Sequence, residues 1–411
     1  MRTLKISHPN RKIKTAVRIS GSKSESNRAL ILNALSGGKI AIESLSPARD
    51  TQTLQRILLA DEKEANVLDA GTTMRFLTAY YAATNQNKII TGSERMLQRP
   101  IHPLVNALID IGFAVHYLGE EGFPPIETHP TNLNKLDSEV WIEGNISSQF
   151  ITALMLIAPT LANGLTIKFT TELTSKPYIE MTARMLSEFG VKVEWKENSI
   201  TIAHSPLQAK PFKVGGDWSS ASYWYSIAFL ADEAEILLEG LQDDWSQGDR
   251  EIAEWMLRFG VDTEFTADGA LIKKVSANYP KMMKLNFKDN PDLAQTFAAM
   301  FAAKDVYATF SGIESLKIKE TDRVAALHNE LLKFNVHFDY AQMYDFYQLK
   351  GEFKSSSQPI ATYNDHRMAM AFAPLALMGE VEIENPEVVE KSYPSFWSDL
   401  EKAGFKIALT Q

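Results

Sequence analysis

Cysteine is absent from the 411 residues of this chain, so disulfides, thiolate metal sites and cysteine nucleophiles are all excluded. Histidine is sparse, with eight in all, and no pair has metal-ligand spacing; the expectation is no metal site and no cofactor. Long apolar runs are missing too, since none reaches the roughly 20 residues that span a bilayer. Positive charge is not in excess: 42 Lys and Arg face 51 Asp and Glu, a formal net charge of −9. That balance argues against a general nucleic-acid surface, so any anionic ligand must be held by a local cluster of cations. The opening Met1-Arg2-Thr3-Leu4-Lys5-Ile6-Ser7 lacks the apolar core of a signal peptide and reads as a short strand. A cytoplasmic monomer with neither membrane nor nucleic-acid partners is expected.

What is present is a repeat. A polar head feeding an apolar helix recurs at Ser24 to Leu35, Gly71 to Ala83, Ser148 to Ile157, Ser219 to Leu230, Pro291 to Ala303 and Asn364 to Leu377. From the second onward the heads return at intervals of roughly 70 to 77 positions, the mark of a structural repeat. A second, amphipathic helix recurs in step: Leu104 to Ile111, Met181 to Phe189, Glu251 to Phe259, Val324 to Phe334 and Phe396 to Ala403. These stop at Gly112, Gly190, Gly260, Asn335 and Gly404, residue types that tolerate the left-handed conformation ending many helices. Short alternating strands follow each stop. The pattern predicts an α/β chain of about six repeats in two or more domains. Only about 47 positions separate the first head from the second, which predicts a lost pair of strands and one undersized sheet.

The heads carry unusual chemistry. Gly21-Ser22-Lys23-Ser24-Glu25-Ser26-Asn27-Arg28 puts hydroxyls, a lysine and an arginine at a helix mouth, where unpaired N–H groups suit anions. Asp69-Ala70-Gly71-Thr72-Thr73-Met74-Arg75, Gln98-Arg99-Pro100, Ser147-Ser148-Gln149, Ser175-Lys176-Pro177-Tyr178, Lys319-Glu320-Thr321-Asp322-Arg323 and Asn364-Asp365-His366-Arg367 repeat the theme. Taken as sharing one phase of the repeat, they imply a ring of helix N-termini around a common centre for multiply anionic small molecules. Asp292 and Glu320 stand among these cations; chemistry that moves a proton would explain them. His366 reads as a hydrogen-bonding strut rather than a catalyst.

Together these motifs resemble, in order and across nearly the whole chain, the EPSP synthase family of enolpyruvyl transferases. The resemblance implies two domains, each of three β-α-β-α-β-β units with pseudo-threefold symmetry. One would comprise residues 1–19 plus 216–411 and the other 20–215, with the active site in the cleft between them. It implies transfer of the enolpyruvyl group of phosphoenolpyruvate to the 5-hydroxyl of shikimate 3-phosphate through a tetrahedral intermediate. Lys23, Ser24, Arg28, Ser147, Ser148, Gln149, Ser175, Tyr178, Asp292, Ser315 and Lys319 would bind shikimate 3-phosphate. Lys23, Gly71, Arg99, Gln149, Arg323, Arg367 and Lys391 would bind phosphoenolpyruvate. Asp292 and Lys319 would manage the hydroxyl proton and Glu320 would protonate the methylene.

Some positions depart from the family pattern. Asp69 stands where asparagine is usual, Phe76 where many members have proline, and Ser315 where asparagine often occurs. The sister transferase acting on UDP-N-acetylglucosamine usually carries a cysteine acid, which this chain lacks. A related RNA 3′-phosphate cyclase would need a nucleotide site and favours a more basic surface. The alternative from another class is a non-catalytic sensor of shikimate 3-phosphate on the same scaffold. Against it stand Asp292, Lys319 and Glu320, since binding alone gains nothing from carboxylates beside anions.

Overall fold

The computed structural model describes residues 2–410. The chain divides into two compact units, one running up to Ser20 and again from Gly215 onward, the other from Gly21 to Val214.

Each unit is built on three inner helices that touch one another pairwise. In the Gly21–Val214 unit they are Lys23–Leu35, Gly71–Ala83 and Ser148–Ile157. In the other unit they are Trp218–Leu230, Ala294–Ala302 and His366–Phe372. These six coincide with the predicted polar-headed helices. They are apolar on nearly every side because they are enclosed on nearly every side; in Trp218–Leu230 only Ser219 escapes full burial.

Sheets wrap the inner helices. Four of them have four strands, for example Glu64–Asn66, Lys88–Thr91, Ile126–His129 and Ala114–Tyr117 in spatial order. The first pair is parallel and the other two pairings are antiparallel. A parallel pair needs a crossover, and the inner helix Gly71–Ala83 supplies it. In the other unit Lys12–Arg18 and Glu233–Glu239 form such a pair, in register from Lys12 opposite Glu233 to Arg18 opposite Glu239. The whole Gly21–Val214 unit is therefore inserted into that crossover, just ahead of the helix Trp218–Leu230. The first repeat keeps only a two-residue parallel pairing, Ile42–Glu43 with Phe212–Lys213. This is the undersized sheet that the short spacing predicted. The sixth sheet has three strands, with Thr3–Ser7 central between Val381–Glu384 and Lys406–Thr410.

Outer helices cover the sheets. The residues predicted to end them, Gly112, Gly190, Gly260, Asn335 and Gly404, all have positive φ, from 62° at Asn335 to 108° at Gly112. One sequence expectation needs correcting. The charged heads do not share a single phase of the repeat, because Ser175–Tyr178 and Lys319–Arg323 open the outer helices Lys176–Glu188 and Arg323–Leu332. Arg99-Pro100 likewise precedes an outer helix, His102–Ile111, which has Pro103 in its first turn. Inner and outer helix starts both supply charged groups. Among the described residues no helix is long and apolar enough to cross a membrane.

Candidate active site

In the Gly21–Val214 unit the polar heads form one connected network. Lys23 opens the first inner helix, and its Nζ lies 3.2 Å from Asp50 Oδ2. Asp50 sits in the first turn of the outer helix Arg49–Leu59 and is 3 % exposed. Its carbonyl accepts from Thr73 Oγ1 at 3.4 Å, which ties this corner to the Gly71–Ala83 helix. Gln149 Nε2 donates to Thr72 Oγ1 at 3.2 Å, joining the third inner helix to the second. Ser147 caps that third helix by accepting from the Gln149 amide, and Ser148 is buried beside it.

Gly71 leaves room for the Arg99 guanidinium against the helix start. A Cβ there would lie 2.7 Å from both terminal nitrogens of the Arg99 guanidinium. The arginine thus rests directly on the helix start, where its charge adds to that of the exposed N–H groups. Asp69, two residues upstream, meets Arg49 Nη2 at 3.2 and 3.3 Å. The negative charge that departs from the family pattern is thus matched within the same corner.

Arg28 is packed rather than open. Its Nε donates to Thr182 Oγ1 at 2.8 Å, and its terminal nitrogens reach the carbonyls of Ser24 at 2.8 Å and Tyr178 at 3.0 Å. Burial pulls its pKa down to about 10, well within the charged range at neutral pH. The guanidinium thereby locks Ser24 and Tyr178 to a common frame. Ser175 starts the Lys176–Glu188 helix in the left-handed region, with φ 54° and ψ 37°. Such strain in a non-glycine residue collects at functional sites, where it fixes a side chain's aim.

The second group lies in the other unit and centres on Arg323, 2 % exposed. Its Nε donates to Asp365 Oδ2 at 2.7 Å, Nη1 to Asp292 Oδ1 at 3.1 Å and Nη2 to Glu320 Oε2 at 2.8 Å. Arg367 Nη2 takes the other Asp292 oxygen at 2.7 Å, and its Nη1 is 3.4 Å from the Tyr223 hydroxyl. The Asp292 carboxylate is therefore bridged between two guanidinium groups, the arrangement a substrate carboxylate would want. It does not cap the helix it precedes. Burial alone would lift the Asp292 pKa, yet Arg367, Arg323 and Lys319 together hold it well below the usual carboxylate range. Lys391, 1 % exposed, approaches Glu320 Oε1 at 3.9 Å. Ser315 lies on the short turn Glu314–Ile318, partly exposed and five residues before Glu320. His366 is 1 % exposed, with Nδ1 3.5 Å from Asp365 Oδ1.

Two buried participants, Asp50 and Asp249, escaped the sequence reading, and a third, Asp365, was given no role in it. Asp50 and Asp365 partner the cations Lys23 and Arg323, and Asp249 lies beside Asp292 and Arg367. Asp365, quoted in the sequence only as part of a charged head, also caps its helix by accepting from the Arg367 amide. The backbone turns into that cap through two consecutive left-handed residues, Tyr363 and Asn364. Among the described residues no cluster of three or more His, Cys, Asp or Glu could hold a metal ion.

Two units of inner helices in threes, with cation-rich helix starts and a few carboxylates set among guanidinium groups, define an enolpyruvyl-transferase architecture. The profile of the family described as EPSP synthase (3-phosphoshikimate 1-carboxyvinyltransferase) matches residues 7–60 and 54–400. A 3-phosphoshikimate 1-carboxyvinyltransferase of Bacteroides fragilis (strain YCH46) is 44 % identical over 399 residues, 96 % of each chain. The one from Pasteurella multocida is 33 % identical, covering 94 % of each. Among solved structures, an EPSP synthase from Acinetobacter baumannii superposes with a TM-score of 0.77 over the full length of both chains, at 21 % identity. The enolpyruvyl transferase NikO from Streptomyces tendae shares the fold at a TM-score of 0.74 and 16 % identity, covering 100 % of this chain and 99 % of its own. The chain belongs to the EPSP synthase family.

Proposed function

We propose that this protein transfers the enolpyruvyl group of phosphoenolpyruvate to the 5-hydroxyl of shikimate 3-phosphate, releasing phosphate, as a cytoplasmic monomer. The observation that carries the reading is Asp292 bridged between Arg323 and Arg367, with Glu320 held by Arg323 and Lys391. Such a cluster offers anion grip and proton transfer together. A sensor would need only the first.

In the proposed sequence, Ser24 and Arg28 hold the shikimate carboxylate, and Ser147, Ser148 and Ser175 take its phosphate beside Gln149 and Tyr178. Ser315 would contact the same substrate. Lys23, the Gly71 turn, Arg99, Gln149 and Lys391 surround the phosphoenolpyruvate phosphate, while Arg323 and Arg367 clamp its carboxylate. Asp292, assisted by Lys319, accepts the 5-hydroxyl proton as the oxygen bonds to the central enol carbon. Glu320 delivers a proton to the methylene, giving a tetrahedral adduct. Loss of a proton from the new methyl group and cleavage of the phosphate C–O bond then regenerate the enol and release phosphate. Anions drawn to Arg323 and Lys391 weaken the two contacts that hold the Glu320 carboxylate, which favours proton uptake there as substrates arrive.

The direct test is phosphate release from purified protein with each substrate alone and with both, in chelator. Release that requires both, with the enolpyruvyl product confirmed by mass, supports the transferase. Calorimetric binding of shikimate 3-phosphate without any release would instead mean a sensor.

A second test follows from Gly71. The atoms that a methyl group meets are the tip of Arg99, so Gly71→Ala can be relieved by moving that guanidinium without disturbing the core. Stability should change by less than about 1 kcal/mol. KM for phosphoenolpyruvate should rise about tenfold or more as a charge-assisted contact is displaced. An unchanged KM would remove Arg99 from the phosphate site.

A further inference from the structure

Asp249 is a carboxyl group that the proposed reaction does not use. It lies in the turn Gly248–Glu251 and is 3 % exposed. Its Oδ2 is 2.5 Å from Ser219 Oγ, in the first turn of the inner helix Trp218–Leu230. Its Oδ1 has no hydrogen-bond partner, and among the described residues Asp249 has no ion pair. The same turn is stapled to the catalytic segment, because the Gly248 carbonyl accepts from Asn290 Nδ2 at 2.6 Å, two residues before Asp292. A buried, unpaired carboxylate beside another carboxylate is poorly tolerated; the neutral acid is not.

The charged groups around it sharpen the point. From the Trp218–Leu230 side comes Asp217, which caps that helix. From the Asn290–Leu293 segment comes Asp292, and from the His366–Phe372 helix comes the cation Arg367. Arg250, the next residue, is directed instead to Asp243 at 2.6 Å and to Glu254 at 2.7 Å. Arg367 in turn is engaged by Asp292 at 2.7 Å.

We propose that Asp249 is a positioning residue that holds a proton: as a neutral acid it leaves Arg367 to Asp292, and when it ionises it competes for Arg367 and loosens the grip on the substrate carboxylate. Burial first, then Asp292, pushes its pKa up to about 7, while Arg367 and the Ser219 bond act in the opposite direction. The switch thus falls in the physiological range, and affinity for phosphoenolpyruvate should decline on the alkaline side.

The test compares wild type with Asp249→Asn, which keeps the shape and cannot ionise, and with Ser219→Ala, which removes a bond that favours the charged form. Because substrate ionisations are common to all three proteins, ratios of KM for phosphoenolpyruvate at each pH isolate the enzyme's own group. Between about pH 6 and about pH 8 the wild-type to Asp249→Asn ratio should climb about tenfold, with kcat ratios nearly flat. Ser219→Ala should show the same climb displaced to higher pH. This kinetic arm rests on the transferase reading, so a thermal arm stands beside it. A raised folded-state pKa contributes stability that is complete below the unfolded value near 4 and is lost as pH rises through about 7. Wild type should therefore lose melting temperature relative to Asp249→Asn across that window. A ratio and a melting difference that are both independent of pH would overturn the proposal. A thermal signature without a kinetic one would confine the proton to stability and remove Asp249 from substrate positioning.

Discussion

Replacing Arg323 with alanine is expected to abolish turnover and to destabilise the protein by about 3–5 kcal/mol, the range for removing one partner of a buried ion cluster. Arg323 is 2 % exposed and carries Asp365 at 0 %, together with the nearly buried Asp292 and Glu320. Without it three carboxylates are left to Arg367, Lys319 and Lys391. Arg323→Lys keeps the charge but cannot spread five donors across three acceptors, so it should be milder in stability and still lose at least about 100-fold in turnover. Denaturant unfolding and steady-state kinetics on both variants make the check.

The deficit should also depend on pH in a definite direction. In wild type the folded-state pKa of Asp292 is depressed. The stability it contributes is present above the unfolded value near 3.9 and is lost as pH falls further. In Arg323→Ala that depression weakens, so the gap between variant and wild type should narrow as pH drops below about 4. A gap that stays constant with pH would mean that Arg323 acts through packing alone.

Glu320→Gln should separate binding from chemistry. The amide preserves size and still offers an acceptor to Arg323, 2.8 Å away, but it cannot supply a proton. Positioned proton transfer is typically worth about 10² to 10⁴ in rate, so kcat should fall at least about 100-fold. Calorimetric affinity for shikimate 3-phosphate should stay within about threefold, because the change removes no cation. KM for phosphoenolpyruvate should hold or fall, since Arg323 and Lys391 lose a competing negative charge. Turnover near the wild-type value would end the proton-donor assignment. A parallel loss of binding would recast Glu320 as a structural tether for Arg323.

Much of the architecture follows from local rules that leave traces in the chain. Helices stop where Gly112, Gly190, Gly260, Asn335 and Gly404 turn left-handed, and each such stop was legible because few residue types can take that conformation. The inner helices were legible because enclosure on nearly every side leaves them no charged residue beyond their polar heads. The spacing of the first two heads foretold one undersized sheet, which is the two-residue pairing of Ile42–Glu43 with Phe212–Lys213. The charged heads were recognisable as anion-binding material for the same reason, since helix mouths, lysines and arginines attract anions wherever they lie.

The sequence by itself determined the repeat, the helix limits and the supply of cations. Only the tertiary structure decided which partners those cations meet. Asp292, Arg323 and Asp365 are separated by 31 and 42 positions, yet they share one guanidinium. Gly71 and Arg99 meet only because packing brings the guanidinium tip of Arg99 to within 2.7 Å of where a methyl group on Gly71 would sit. Three heads assigned by sequence to one phase of the repeat precede outer helices instead, and Asp249 gains its chemistry from burial that its neighbours in the chain do not announce. Local propensity acts over a few residues through backbone sterics, whereas charge pairing and desolvation depend on distances set by packing between remote segments.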